Sequence, residues 1–145
     1  MRSLLSATAV LFLLATPANA KILAVCGPFE GYGYYDEGAF VPKGETGWTE
    51  DKIGIGSTSI TEVDGKFDII FSDVASKNVS SRADGVKVNL ISINNDAEII
   101  TILVSYPNVS IEIYTYNVIM KKLVLLQTKF NSIINKSTMM VADCK

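Results

Sequence analysis

Cys26 and Cys144 are the only cysteines in the 145-residue chain. They stand 144 − 26 = 118 positions apart, so a bond between them would bring distant parts of the chain together. Whether they bond depends on compartment, and the first residues bear on that. Met1 and Arg2 are followed by the uncharged run "SLLSATAVLFLLA" and then by "TPANA", with small residues at Ala18 and Ala20. A positive start, an apolar run and small residues before a cut site form the pattern of a secretory signal, with cleavage expected after Ala20. The apolar run is about a dozen residues, whereas a membrane-spanning helix needs roughly 20.

Residues 1-20 are therefore expected to be a signal peptide and residues 21-145 a single β-rich domain, periplasmic or secreted. No transmembrane segment is expected in the mature chain. In an oxidising compartment an even pair of cysteines reads as one disulfide, here Cys26 with Cys144. Closing so long a loop stabilises a fold by about 4 to 5 kcal/mol in the chain-entropy account.

The chain has no histidine. That removes the usual base for a serine or cysteine nucleophile, and a common partner for thiolate at a soft metal site. No metal and no cofactor are expected. The formal net charge is −2, and loss of Arg2 with the signal makes the domain one unit more acidic. Nucleic acid is excluded as a partner, because phosphates call for a basic face. Charge is uneven, however. Residues 30 to 51 hold Glu30, Asp36, Glu37, Glu45, Glu50 and Asp51 against Lys43 alone, whereas the region from 117 onward holds Lys121, Lys122, Lys129, Lys136 and Lys145 against Asp143. The two segments are expected to form solvated surfaces that attract one another, or else an acidic mouth.

After the signal the periodicity is that of strands. "STSITEV" (57 to 63) and "KFDIIFS" (66 to 72) flank Asp64-Gly65, a dipeptide suited to a two-residue hairpin turn. Asp84-Gly85 precedes "VKVNLISI" (86 to 93), where Val86, Val88 and Leu90 alternate with polar neighbours until the phase slips at Ile91. "EIITILVSY" (98 to 106) is almost wholly apolar and β-branched, the composition of a central strand. Pro107 and Asn108 break it. "VSIEIYTY" (109 to 116) then sets Val109, Ile111 and Ile113 on one face and Ser110, Glu112, Tyr114 and Tyr116 on the other. "LVLLQTKF" (123 to 130) and "STMMVADC" (137 to 144) complete the series, with at most a poor helix around 128 to 136. The expected fold is all-β: a single antiparallel barrel or sandwich of about seven or eight strands, closed by one disulfide.

"GYG" (31 to 33) and "GIG" (54 to 56) suggest phosphate-binding glycines, but Asp36 and Ser59 stand where G-x-G-x-x-G needs its third glycine. Neither opens a helix, so nucleotide binding is rejected. Calcium fails for want of a regular ladder of oxygen ligands. What remains is the stretch "CGPFEGYGYYDEGAF", Cys26 to Phe40, with Trp48 just beyond. Tyr32, Tyr34, Tyr35 and Trp48 are the candidate ligand-binding residues, either as a stacking platform or as an aromatic lid over one end of the barrel. A carboxylate pair from Asp36, Glu37, Glu45, Glu50 and Asp51 would allow glycoside hydrolysis, which needs two acids about 5 to 10 Å apart.

The leader, the early cysteine followed by "GYGYY", Gly47-Trp48, "FDIIFSD", "SYP", "EIYTY" and the closing "MMVADC" together resemble a group of small exported bacterial proteins of uncharacterised function. The resemblance implies bacterial export and nothing about mechanism. The leading expectation is a non-catalytic exported β-domain that binds a small molecule, a glycan or an envelope protein. The alternatives are a small carboxylate-dependent glycan hydrolase, or a structural or inhibitory envelope protein that presents a strand edge.

Overall fold

The computed structural model describes residues 20–72 and 78–145. The expected signal peptide lies outside the described residues, apart from Ala20, which opens the first strand. Among the described residues all regular elements are strands: β1 (Ala20–Tyr35), β2 (Gly47–Ile53), β3 (Ser57–Val63), β4 (Lys66–Ser72), β5 (Val79–Ser80), β6 (Lys87–Ile93), β7 (Ile99–Tyr106), β8 (Ser110–Asn117), β9 (Lys122–Lys129) and β10 (Lys136–Cys144). The all-β expectation therefore holds, while the count of seven or eight is corrected to ten. They form one antiparallel, curled sheet in the order β5-β4-β3-β1-β10-β9-β8-β7-β6, with β2 paired to β1.

The strands missing from the sequence-based count are β1, β2 and β5. Glycine hid β1, because residues 31 and 33 suggested loop. The real constraint is packing: a Cβ at Gly31 would lie 2.0 Å from the Met139 carbonyl oxygen and 2.7 Å from Met140 Cα. Only hydrogen fits there, so β1 can lie flush on β10. The first half of β1 pairs with β3, from Ala20↔Val63 to Cys26↔Thr58, and its second half with β2, from Phe29↔Ile53 to Tyr35↔Gly47. The exchange occurs at Gly27 and Pro28, where the pairing with β10 also shifts register. β2 and β3 thus follow one edge of β1, separated by Gly54-Ile55-Gly56.

Elsewhere local chemistry and structure agree closely. β3 and β4 meet through Val63↔Lys66 across Asp64 (φ 50°) and Gly65 (φ 75°). The slip at Ile91 is a register shift between Leu90 and Ser92. Residues 130–135 form turns rather than helix, with Asn135 Oδ1 accepting from the Ser132 amide at 3.2 Å. β7 is bonded on both sides, by β6 and β8, but stands one strand from the edge rather than at the centre of the sheet. The centre is held by β1 and β10. Their register partners Cys26 and Cys144 form the disulfide.

The inner face of the curl carries the core. Ile60, Ile69, Ile102, Leu123 and Met140 are fully buried there, each such side chain stabilising by about 1.5 to 3 kcal/mol relative to exposure. Along β10, alternation sends Thr138, Met140, Ala142 and Cys144 inward and Met139 and Val141 outward.

The curl does not close through backbone pairing: β4 and β6 lie against each other, but no ladder joins them among the described residues. Arg82 spans the gap instead. Its Nε donates to the Phe67 carbonyl of β4 and its Nη2 to the Val88 carbonyl of β6, each at 2.6 Å. Asp68 steadies this joint, its Oδ1 accepting from the Arg82 amide at 3.1 Å and its Oδ2 from Ser80 Oγ at 2.5 Å.

Candidate functional site

Register fixes how the inner face is layered. Deepest, Ala142, Leu123, Tyr116 and Ile100 stand side by side across β10, β9, β8 and β7, and the layer above holds Met140, Leu125, Tyr114 and Ile102. The next is polar on three strands: Thr138, Gln127 and Glu112, followed by Val104. The last, at the strand ends, is Lys136, Lys129, Ser110 and Ser105's neighbour Tyr106.

A cavity of about 440 Å³ opens over these layers, within the size range of small-molecule sites. Phe29, Phe71, Tyr106 and Leu125 supply apolar wall. Ile53, Ile55 and Gly56, around the break between β2 and β3, form one side, and Val109 and Ser110 at the β7–β8 turn face them. The "GIG" segment is therefore part of a cavity wall.

Glu112, 7% exposed, is the only charged residue buried among the described residues, and it lines this cavity. Tyr114 Oη donates to its Oε2 at 2.7 Å, and Gln127 Nε2 to its Oε1 at 2.6 Å. Both oxygens accept, which suits a carboxylate. Hydrogen bonds to a charged group contribute about 1.5 to 3 kcal/mol each, whereas desolvating a carboxylate costs several kcal/mol. Two such donors together are of the same order as that cost. Burial, then the charge and hydrogen bond of Glu112, hold Tyr114 well above the ordinary tyrosine range, so its hydroxyl remains a donor. Burial also raises Tyr106, reinforced by Glu112, Asp84 and Asp68 and opposed by its hydrogen bond with Ser81.

The sequence-derived candidates lie elsewhere. Tyr34 and Trp48 are register partners on β1 and β2, and their rings meet edge to face at 5.7 Å. Trp48 is 69% exposed and Tyr32 54%. Tyr32, Tyr34 and Trp48 thus decorate a ribbon of paired strands rather than covering a barrel end. Tyr35 differs: Lys136 Nζ donates to its hydroxyl at 3.3 Å and to Asp51 Oδ2 at 2.5 Å, and lies 5.2 Å from the tyrosine ring centre. This cluster joins the acidic segment to the basic one across β2 and β10, as charge attraction predicts.

Burial opposes the charge on Asp51, but hydrogen bonds from Lys136 and Tyr35 and the lysine's charge outweigh it and lower the carboxyl's pKa. Burial likewise opposes the charge on Lys136, and Asp51 and Tyr35 more than compensate, raising its pKa. Tyr35 is raised by burial first and then by Asp51.

None of Tyr32, Tyr34, Tyr35 and Trp48 lines the cavity. The signal for the cavity was the polar face of "VSIEIYTY", with a carboxylate between serine and two tyrosines on an otherwise apolar strand. Of the carboxylates considered for hydrolysis, Asp36, Glu37, Glu45 and Glu50 are exposed and Asp51 is bound to Lys136. Among the described residues no three His, Cys, Asp or Glu side chains converge as a metal site, and no helix is long and apolar enough to cross a membrane. No family model, no curated protein and no solved structure matches the chain.

Proposed function

We propose that this chain is an exported, non-catalytic β-domain that holds a small molecule inside the curl of its sheet. The observation that carries this reading is the cavity of about 440 Å³, with apolar walls and a few convergent polar groups. On this reading the fold works as a barrel whose final joint is made by side chains, and small barrels of comparable strand number hold one ligand in the same place. The Cys26–Cys144 bond supports export to the periplasm or medium, where disulfides persist, and the resemblance to small exported bacterial proteins points the same way. Among the described residues Glu112 is the only acid on the cavity wall, which gives the two-carboxylate chemistry of glycoside hydrolysis no second member from them.

The test uses a neutral fluorescent probe, N-phenyl-1-naphthylamine. Saturable one-to-one enhancement is expected, and Leu125→Trp, which fills the cavity, should abolish it. Absence of saturable binding to folded, oxidised protein would overturn the reading. The second reading, a glycan or envelope protein on the outer ribbon, is favoured by the exposed Tyr34–Trp48 pair. It expects Trp48 fluorescence to respond to that partner and Trp48→Ala to abolish binding.

A further inference from the structure

We propose that the cavity selects an organic cation: an amine with an apolar or aromatic body, whose ammonium group docks on Glu112. The inference rests on the small-molecule reading and adds the ligand's charge and the residue that reads it.

Glu112 is buried and lines the cavity, and no cation lies within ion-pair distance of it among the described residues. Tyr114 and Gln127 approach from β8 and β9 and each occupy one carboxylate oxygen. An oxygen of this kind can accept a second hydrogen bond, so both remain available to a ligand from the cavity side. The two neighbours also fix the carboxylate's orientation, so little side-chain freedom is lost on binding. A buried charge without a counter-charge is costly, and the missing counter-charge is the feature an ammonium would supply.

The surroundings match the rest of such a molecule. Phe29, Phe71 and Tyr106 present aromatic rings to the same space, suited both to an apolar body and to a cation over a ring face. In the same register layer, Thr138 is buried and its hydroxyl oxygen has no hydrogen-bond partner among the described residues, but it does not line the cavity. The opposing charge is Lys129. It lines the cavity at the strand end, one inward position beyond Gln127 on β9, and is only half-buried. Water at the mouth weakens its repulsion relative to an ion pair formed at Glu112.

Three probes of common shape test the inference by calorimetric titration of the oxidised protein: 2-phenylethylammonium, 2-phenylethanol and phenylacetate. The ammonium should bind at least tenfold more tightly than the alcohol, and phenylacetate most weakly. Glu112→Gln, which keeps size and removes the charge while exchanging one acceptor for a donor, should reduce the ammonium-to-alcohol ratio to threefold or less. If that variant fails to fold, the ranking of the three probes on the unaltered protein decides alone. Equal or tighter binding of the alcohol or acid overturns the inference, as does a cation preference that survives Glu112→Gln. If N-phenyl-1-naphthylamine enters and the cation is not preferred, this inference falls while the small-molecule reading stands. If no probe enters, both fall.

Discussion

The inner wall of the curl and the outer ribbon of β1 and β2 are built from similar residues, tyrosines and carboxylates among them, yet they make opposite environments. On the ribbon, Tyr32, Tyr34 and Trp48 stand in water and Glu50 is solvated. On the wall, Tyr114 and Glu112 are buried in contact. The difference lies in the face of the sheet. Tyr32 and Tyr34 point outward from β1, although that strand is paired with both β2 and β10, whereas Glu112 and Tyr114 point into the curl from β8. A tyrosine or glutamate acquires binding potential from the face it occupies more than from its own identity.

The largest expected effect removes the distinction. Reduction, or paired replacement of Cys26 and Cys144 by serine, should cost about 4 kcal/mol of stability, because β1 and β10 support both regions; denaturant unfolding with and without reductant measures it. If reduction leaves the midpoint unchanged, the bond does not join the two regions as described. Next, Leu123→Ala, below the cavity, should cost about 3 kcal/mol, whereas Leu126→Ala, outward on the same strand, should stay within about 0.5 kcal/mol. Equal costs would erase the contrast between inner and outer faces.

Smaller again is the tie between the regions. Lys136→Met should cost about 1 to 2 kcal/mol, between the values for exposed and buried pairs. Its pH dependence has a defined sign. The lowered Asp51 contributes stability above the unfolded carboxyl pKa that is lost as pH falls through its folded value. The raised Lys136 contributes stability below the unfolded lysine pKa that is lost as pH rises through its folded value. The deficit of Lys136→Met should therefore be flat near neutrality and shrink at both extremes; a deficit that grows toward acid would contradict the pairing. The smallest effect is expected for Trp48→Ala, within about 0.5 kcal/mol, with binding of N-phenyl-1-naphthylamine unchanged. A larger loss would show that the ribbon and the cavity are coupled.

Much of the ladder was legible. Asp64-Gly65 demanded positive φ, and the slip at Ile91 announced a bulge, because both signals are local. β1 was not legible, since Gly31 is required by the proximity of Met139 and Met140, more than a hundred residues away. β8 shows the same limit. Its two faces separated cleanly in "VSIEIYTY", but alternation alone does not say which turns inward. Ile102 and Leu125, flanking Tyr114 in register, settle that, and Ile111 is left outside at 44% exposure. The aromatic cluster drew attention through composition, and the cavity escaped it because its walls come from seven separate strands and the turns between them.

Arg82 gives the molecule a mechanical property. A barrel laddered all round resists dilation with a full row of backbone bonds, but here the two guanidinium contacts of Arg82 and the hydrogen bond between Ser81 and Tyr106 bridge the last joint, so the girth of the curl is set there by side chains. Compliance is concentrated along that line, opposite the stiff, covalently bonded pair β1 and β10. Hydrogen exchange should find the amides facing the joint on β4 and β6 opening first and those around Cys26 and Cys144 last.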